Sequence, residues 1–235
     1  VLDVSGLGPR PEARAEALFR EGVDWIQLRD REATTASLLQ TSLALVRARK
    51  GALRAADRDP ERMTPRVILN RRVDIALAAA GDGVHLGFDA MEPEAARTLL
   101  GETALIGLSL HGAEEVLAIV RTDGADRESD RGRAQPARGP QASSRFARSD
   151  YAHLAPIWDP LSKPASRPAL GLGELERACA AGLPILAQGG VDAHRAALAL
   201  AAGAAGIAVT GQVVQSADPA DAVRLLRRAL DRGTA

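Results

Sequence analysis

The chain has 235 residues, 46% of them hydrophobic, enough for one α/β domain or two small ones with a real core. Its 30 basic and 30 acidic residues cancel, so no global field points to nucleic acid or to a membrane surface. The lone Cys179 excludes an internal disulfide framework, no stretch reads as a signal peptide, and none is apolar enough to span a bilayer; the expectation is a cytoplasmic protein.

Short apolar or β-branched runs recur along the chain, each followed by a helical pattern. VLDVS (1–5) precedes PEARAEALFREG (11–22), and WIQLR (25–29) precedes TTASLLQTSLALVRA (34–48). RVILN (66–70) leads to VDIALAAAG (73–81), and GVHLG (83–87) to EPEAARTLL (92–100). LIGLS (105–109) leads to GAEEVLAIV (112–120), and YAHLA (151–155) to LGELERACAAG (172–182). PILAQ (184–188) leads to DAHRAALALAAG (192–203), and GIAVT (206–210) to DPADAVRLLRRALD (218–231). Several helical patterns end on glycine and several begin at Asp, Thr or Pro, as helix caps do.

Eight strands alternating with eight helices indicate a parallel sheet, because each parallel connection needs a crossover. The count predicts a closed (β/α)8 TIM barrel forming a single domain over 1–235. A doubly wound open sheet is the alternative, but SGLG (5–8) is not the GxGxxG turn its dinucleotide-binding form carries. Two stretches interrupt the rhythm. Residues 50–65 lengthen one connection, and the polar, Gly/Pro/Ser-rich 122–149 predict a flexible insertion with too few apolar residues to bury a face.

In such barrels chemistry gathers at the C-terminal ends of the strands. Those ends carry Gln27, Arg29 and Arg31, then Asn70 and Arg71, then Gly87 and Asp89. Ser109 and His111 follow, then Ser162 and Lys163, then Gln188, Gly189 and Gly190, and finally Thr210 and Gly211. The mouth is basic although the whole chain is neutral, which suggests an anionic ligand. Gly189-Gly190 ahead of a helix start at Asp192, with Thr210-Gly211 on the neighbouring strand, suits backbone N–H groups cradling a phosphate. Paired glycines also suit a plain tight turn. Lys163 stands out because it and Lys50 are the only lysines among the thirty basic residues. His111 is placed to transfer a proton near neutral pH, or else to cap or pack a helix. His85 and His153 lie inside strands and read as core or supporting residues, His194 as helix surface and Cys179 as helix core. No histidine pair has metal-ligand spacing, and no metal site is expected.

The segments QLRDR (27–31), ILNRRVDIALAAAGDGVHLG (68–87), LIGLSLHGAEE (105–115), SKP (162–164), LGLGEL (170–175), AQGG (187–190) and GIAVTGQV (206–213) together resemble the thiamine-phosphate synthase and thiazole tautomerase (TenI-like) family. The resemblance implies the barrel fold. It implies that Gln27, Arg29, Arg31, Asn70, Ser109, Ser162 and Lys163 bind a pyrimidine pyrophosphate. It implies that Gln188, Gly189, Gly190, Thr210 and Gly211 bind a thiazole phosphate. Arg31 stands where the family usually has lysine. The synthase uses Mg2+ held by two aspartates, and those positions here read Arg71 and Ala90, with Asp89 one residue early. Phe88 and Pro160 also depart from the family's usual glutamine and threonine.

A hard divalent ion needs carboxylate oxygens, so the expected cofactor is none, or Mg2+ for a true synthase. The sister tautomerase activity needs no metal and relies on a histidine at the position of His111. The leading expectation is therefore a metal-independent thiazole tautomerase-like isomerase. The alternatives are a divergent thiamine-phosphate synthase and a non-catalytic phosphate-ligand binding protein. Expected partners are a small phosphorylated thiazole, a pyrimidine pyrophosphate for the synthase, and a second copy of the chain in a homo-oligomer.

Overall fold

Seven parallel strands pair strictly in chain order, so each neighbour is reached by one crossover. They are β1 (Trp25–Leu28), β2 (Arg66–Asn70), β3 (Gly83–Leu86), β4 (Leu105–Leu110), β5 (Tyr151–Leu154), β6 (Ile185–Gln188) and β7 (Gly206–Ala208). The computed structural model describes residues 1–56, 64–129, 148–159 and 167–233. Ten helices occur among them: α1 (Val4–Leu7), α2 (Pro11–Arg20), α3 (Thr35–Ala56), α4 (Val73–Ala79), α5 (Pro93–Leu100), α6 (Ala113–Ser129), α7 (Leu172–Cys179), α8 (Ala193–Ala201), α9 (Gly211–Val214) and α10 (Pro219–Gly233). No helix among the described residues is long and apolar enough to cross a membrane.

The first predicted strand, residues 1–5, is not formed as one. Leu2 makes a single parallel bridge to Leu28, donating to the Gln27 carbonyl at 2.8 Å and accepting from the Arg29 amide at 2.7 Å. The chain then turns into α1, and two carboxylates explain why. Asp3 caps the helix by accepting the Gly6 amide at 2.6 Å, while Asp30 takes the Val4 amide at 3.1 Å and so removes it from a ladder. Two further expectations change at helix ends. Helix α3 runs to Ala56 instead of residue 48, and α6 to Ser129, into the predicted insertion at 122–149. Arg, Ala and Glu propagate a helix already nucleated on an apolar face. The remainder of that insertion, 130–147, lies outside the described residues, as do 57–63.

Period-two alternation explains what each strand does. One face carries Ile26 and Leu28, Val67 and Leu69, Val84 and Leu86, Ile106 and Leu108, Ala152 and Leu154, and Ile185 and Ala187. All belong to the buried apolar cluster that includes Phe19, Leu45, Val116, Ile119 and Leu175 of the helices. The residues between them point to the other face, where the last one in each of β1 to β6 is polar: Gln27, Asn70, His85, Ser109, His153 and Gln188. The helices thus seal the outside of the curled sheet, and its inside turns polar toward one end. At the opposite end two aspartates tie neighbouring strands together. Asp82 accepts the Val67 amide at 2.7 Å and pairs with Arg49. Asp150 accepts the Ile106 amide at 2.7 Å and pairs with the buried Arg97, also at 2.7 Å.

Candidate active site at the strand ends

The polar inner residues floor a cleft of about 510 Å³, walled by the loops that follow the strands. Gln27, Arg29, Asn70, Ser109, His111, Gln188, Gly189, Gly190, Thr210 and Gly211 all line it, so most of the expected site residues converge. Arg31 lies outside the lining but near enough to Arg29 for its charge to be felt. Ser162 and Lys163 fall outside the described residues.

One end of the cleft is built from side chains. Gln27 donates through Nε2 to Asn70 Oδ1 at 3.0 Å, which fixes both amides and leaves Gln27 Oε1 buried without a partner. An orphaned acceptor in a cleft floor is an opening for a ligand N–H. Above it stands Arg29, whose guanidinium pKa is lowered by burial first and then by the charges of Arg31 and Arg71. Two neighbouring cations press on Arg29, a state that an anion would relieve. Arg71 adopts a left-handed backbone (φ 65°), and its amide donates to the His85 carbonyl at 2.9 Å. Its guanidinium pairs with Asp89 at 2.8 Å.

This pairing bears on the metal that the resemblance implies for the synthase. One of the two expected ligand positions carries a cation, the other carries Ala90, and the adjacent Asp89 is already paired with that cation. Among the described residues no group of three or more His, Cys, Asp or Glu side chains is placed to hold a metal ion. The residues present do not fit a divalent cation.

The opposite end is built from main chain. Gly189 and Gly190 follow β6 with φ of 94° and 63°, in the region L side chains rarely adopt. A Cβ on Gly189 would stand 2.8 Å from Pro156 Cα, and one on Gly190 would stand 2.3 Å from the Asp159 carbonyl oxygen. The segment 156–159 crosses against them, with the Ile157 amide bonded to the Gln188 carbonyl at 2.8 Å and the Trp158 amide to that of Gly189 at 3.2 Å. Both glycines are therefore required by a backbone crossing as well as by the turn. Arg195 closes the outside of this turn, donating to the Gly190 carbonyl at 2.7 Å and lying 5.6 Å from the Trp158 ring centroid. Asp192 caps α8 through the Arg195 amide at 2.8 Å, the helix start expected there. Thr210 is the N-cap residue of α9, a short helix absent from the sequence reading, whose first residue is Gly211.

Between the two ends lies an aromatic layer that sequence reasoning undervalued. His85 Nε2 and Ser109 Oγ are 2.9 Å apart, His153 hydrogen-bonds Gln188, and the two imidazole centroids are 4.1 Å apart. Tyr151 packs on both rings and meets Trp25 edge-on at 5.0 Å. Gly107 makes the layer possible. It sits in register between His85 and Tyr151, and a Cβ there would lie 2.1 Å from the tyrosine ring. Burial pushes the His85 pKa down to about 3, helped by the Arg29 charge, and burial likewise holds His153 well below the ordinary value, so both are neutral at pH 7.

His111 projects from the loop after β4 and remains partly exposed. Its amide donates to Glu115 at 2.9 Å. Burial and then the Arg167 charge lower its pKa, against an opposing pull from Glu115. Arg167 lines the cleft and was missed by the sequence reading. The only local signal was its place a few residues after Lys163, in the same connection.

The family model described as thiamine monophosphate synthase matches residues 7–127 and 138–213. A thiamine-phosphate synthase of Chloroflexus aurantiacus is 33% identical over 231 residues, 97% of this chain and 89% of that one. Another, of Agrobacterium fabrum, is 30% identical over 234 residues, covering 97% and 90%. Among solved structures, the thiamine phosphate pyrophosphorylase of Pyrococcus furiosus superposes with a TM-score of 0.69 at 25% identity, covering 99% of this chain and 95% of that one. Matched across its strand ends and along nearly its whole length, the chain belongs to the thiamine monophosphate synthase family.

Proposed function

We propose that the chain is a thiamine-phosphate synthase, joining a pyrimidine carried on a diphosphate to a thiazole phosphate. The observation that carries this reading is the two-ended cleft. A synthase must hold two phosphorylated substrates at once, and the cleft lining offers two anion-suited surfaces, Arg29 with the charges of Arg31 and Arg71 beside it and the main chain of Gly189, Gly190 and Gly211, around a shared polar floor. An isomerase acting on one thiazole phosphate would need only the second. The names of the relatives support the same choice over the tautomerase expected from the altered metal positions.

In this reading Gln27 and Asn70 orient the pyrimidine, with Gln27 Oε1 free to accept an N–H from the ring's substituents. Arg29 and Arg31 hold the diphosphate. Gly190, Thr210 and Gly211 hold the thiazole phosphate through main-chain amides. The carbon–oxygen bond to the diphosphate breaks as the carbon–nitrogen bond forms, and the electron pair leaves on the diphosphate. The positive end of the cleft stabilises that departing charge. The barrel closes in the same reading through residues 1 and 2, since the Val1 nitrogen donates to the Val209 carbonyl at 2.7 Å while Leu2 bridges Leu28.

The test is to incubate the purified protein with the pyrimidine diphosphate and the thiazole phosphate and to measure thiamine phosphate, with proton exchange on the thiazole tautomer assayed in parallel. Formation of thiamine phosphate in multiple turnovers is expected. Exchange without condensation would replace this reading by the tautomerase, and binding without either reaction would replace it by a binding protein.

A further inference from the structure

We propose that the arginine end binds diphosphate without a divalent cation, and that Asp89 is an internal latch which the diphosphate displaces from Arg71. The inference rests on the proposed function for the identity of the substrate, but not for its test.

Three observations carry it. Arg71 occupies a position where a metal-binding chain needs a carboxylate, and its backbone lies in the left-handed region with its N–H donating a hydrogen bond to the His85 carbonyl, so its guanidinium is presented beside the cleft by a constrained turn. Asp89 occupies that guanidinium, through Oδ2 at 2.8 Å and through its carbonyl oxygen at 3.5 Å. Both partners are accessible, with side-chain exposures of 33% and 51%, so the pair can open at little cost. Among the described residues Arg29 and Arg31 have no ion-pair partner, and Arg29 feels the charges of both other arginines. One carboxylate is thus set against three guanidinium groups. Entry of a divalent cation would add to that repulsion, whereas a diphosphate matches it in charge and offers two oxygens at a time to each planar fork.

The latch has a direction. An exposed carboxylate competing for Arg71 weakens the ligand's hold, so removing its charge tightens binding. Asp89 also lies in a turn closed by the Ala90 amide on the Gly87 carbonyl at 3.0 Å, which holds the competing group in place in the free protein.

The experiment is calorimetric titration of the full chain with inorganic pyrophosphate, once in EDTA and once with Mg2+, and with inorganic phosphate as the control anion. The expected result is binding in EDTA, within about threefold of that with Mg2+, and at least tenfold tighter than phosphate. Asp89→Asn is expected to tighten pyrophosphate binding in EDTA by about two- to fivefold, the scale of one exposed ion pair. Arg71→Asn, chosen because asparagine tolerates the left-handed backbone, is expected to weaken it about tenfold. Arg71→Asp is expected to make binding depend on Mg2+. Binding that needs Mg2+ in the unaltered chain, or an Asp89→Asn variant that binds no tighter, overturns the proposal. Because no turnover is read, failure of the synthase assay leaves these outcomes intact, and their failure leaves the synthase reading standing with a metal.

Discussion

At the glycine end of the cleft the main chain itself forms the surface, whereas at the arginine end long side chains do. The two are therefore damaged by different substitutions. Gly189 and Gly190 are locked into the crossing of segment 156–159, so a change there breaks structure and binding together. Arg29, Arg31 and Arg71 project from strand ends already secured by Ile26, Leu28, Val67 and Leu69, so a change there can remove charge and leave the fold. In the proposed function, a phosphate site made of backbone is rigid and indifferent to most side-chain changes. One made of arginines is tunable, and it is where this chain departs from the pattern it otherwise resembles.

The sharpest way to break the contrast is at Gly190. Alanine there must adopt φ of 63° and place its Cβ 2.3 Å from the Asp159 oxygen, so the two chain segments must separate. A loss of about 3 kcal/mol or more is expected, from backbone strain plus the displaced crossing. It is read as a lower denaturant midpoint, together with weaker binding of the thiazole phosphate. An unchanged midpoint would mean that the crossing is not rigid. The arginine end should respond otherwise. Arg29→Ala is expected to raise KM for the pyrimidine diphosphate about 10- to 100-fold, the worth of lost charge-assisted hydrogen bonds at about 1.5–3 kcal/mol. KM for the thiazole phosphate and the denaturant midpoint should stay nearly unchanged. Equal effects on both substrates would remove the distinction between the ends.

The layer between the ends makes the stability of the fold depend on pH. His85 and His153 are buried neutral in the folded chain, with pKa values pushed below the ordinary 6.5. The unfolded chain therefore binds more protons below that pH, and stability present above pH 6.5 is lost as pH falls toward about 3. His85 contributes a slope approaching about 1.4 kcal/mol per pH unit within that window, and His153 adds to it with the same sign. Thermal unfolding followed from pH 7.5 to 5 should show a falling midpoint, and His153→Gln should flatten the slope by about half. A midpoint insensitive to pH across this range would place the imidazoles in contact with water.

Much of this arrangement is legible in the chain itself, and the rest fails for identifiable reasons. The βα rhythm fixes β1 to β7 within a residue or two, because most of their apolar runs start or stop at Gly, Pro or Asp. Residues 1–5 mislead because VLDVS has strand composition, yet Asp3 and the distant Asp30 capture the amides a strand would use. Gly189-Gly190 is conspicuous as a pair, but the crossing partner that makes it obligatory comes from the loop after β5 and has no local signature. His85 and His153 are readable by parity alone: VHL and AHL place histidine on the same face as the glutamine of WIQL and the asparagine of VILN. Judging them as strand-internal ignores that the polar inner face of the curled sheet is also strand-internal. Arg167 is not readable, since its influence on His111 depends on how a long connection returns over the cleft.

His111 offers the smallest expected effect and the finest distinction. In a condensation that moves no proton to or from a protein group, an imidazole at the cleft wall contributes shape and a hydrogen bond at most. His111→Asn should then change kcat for thiamine phosphate formation by less than about threefold, within the value of one exposed hydrogen bond. A proton-transferring isomerase would lose about 10²- to 10⁴-fold with the same change, as general acid–base catalysts do. The pH profiles diverge as well. Burial and Arg167 lower the His111 pKa, so an isomerase using it as a base would gain rate as pH rises through a midpoint below 6.5, and a synthase would show no such limb. One substitution assayed on both reactions thus measures whether the wall between the arginine and glycine ends takes part in chemistry or only separates two anions.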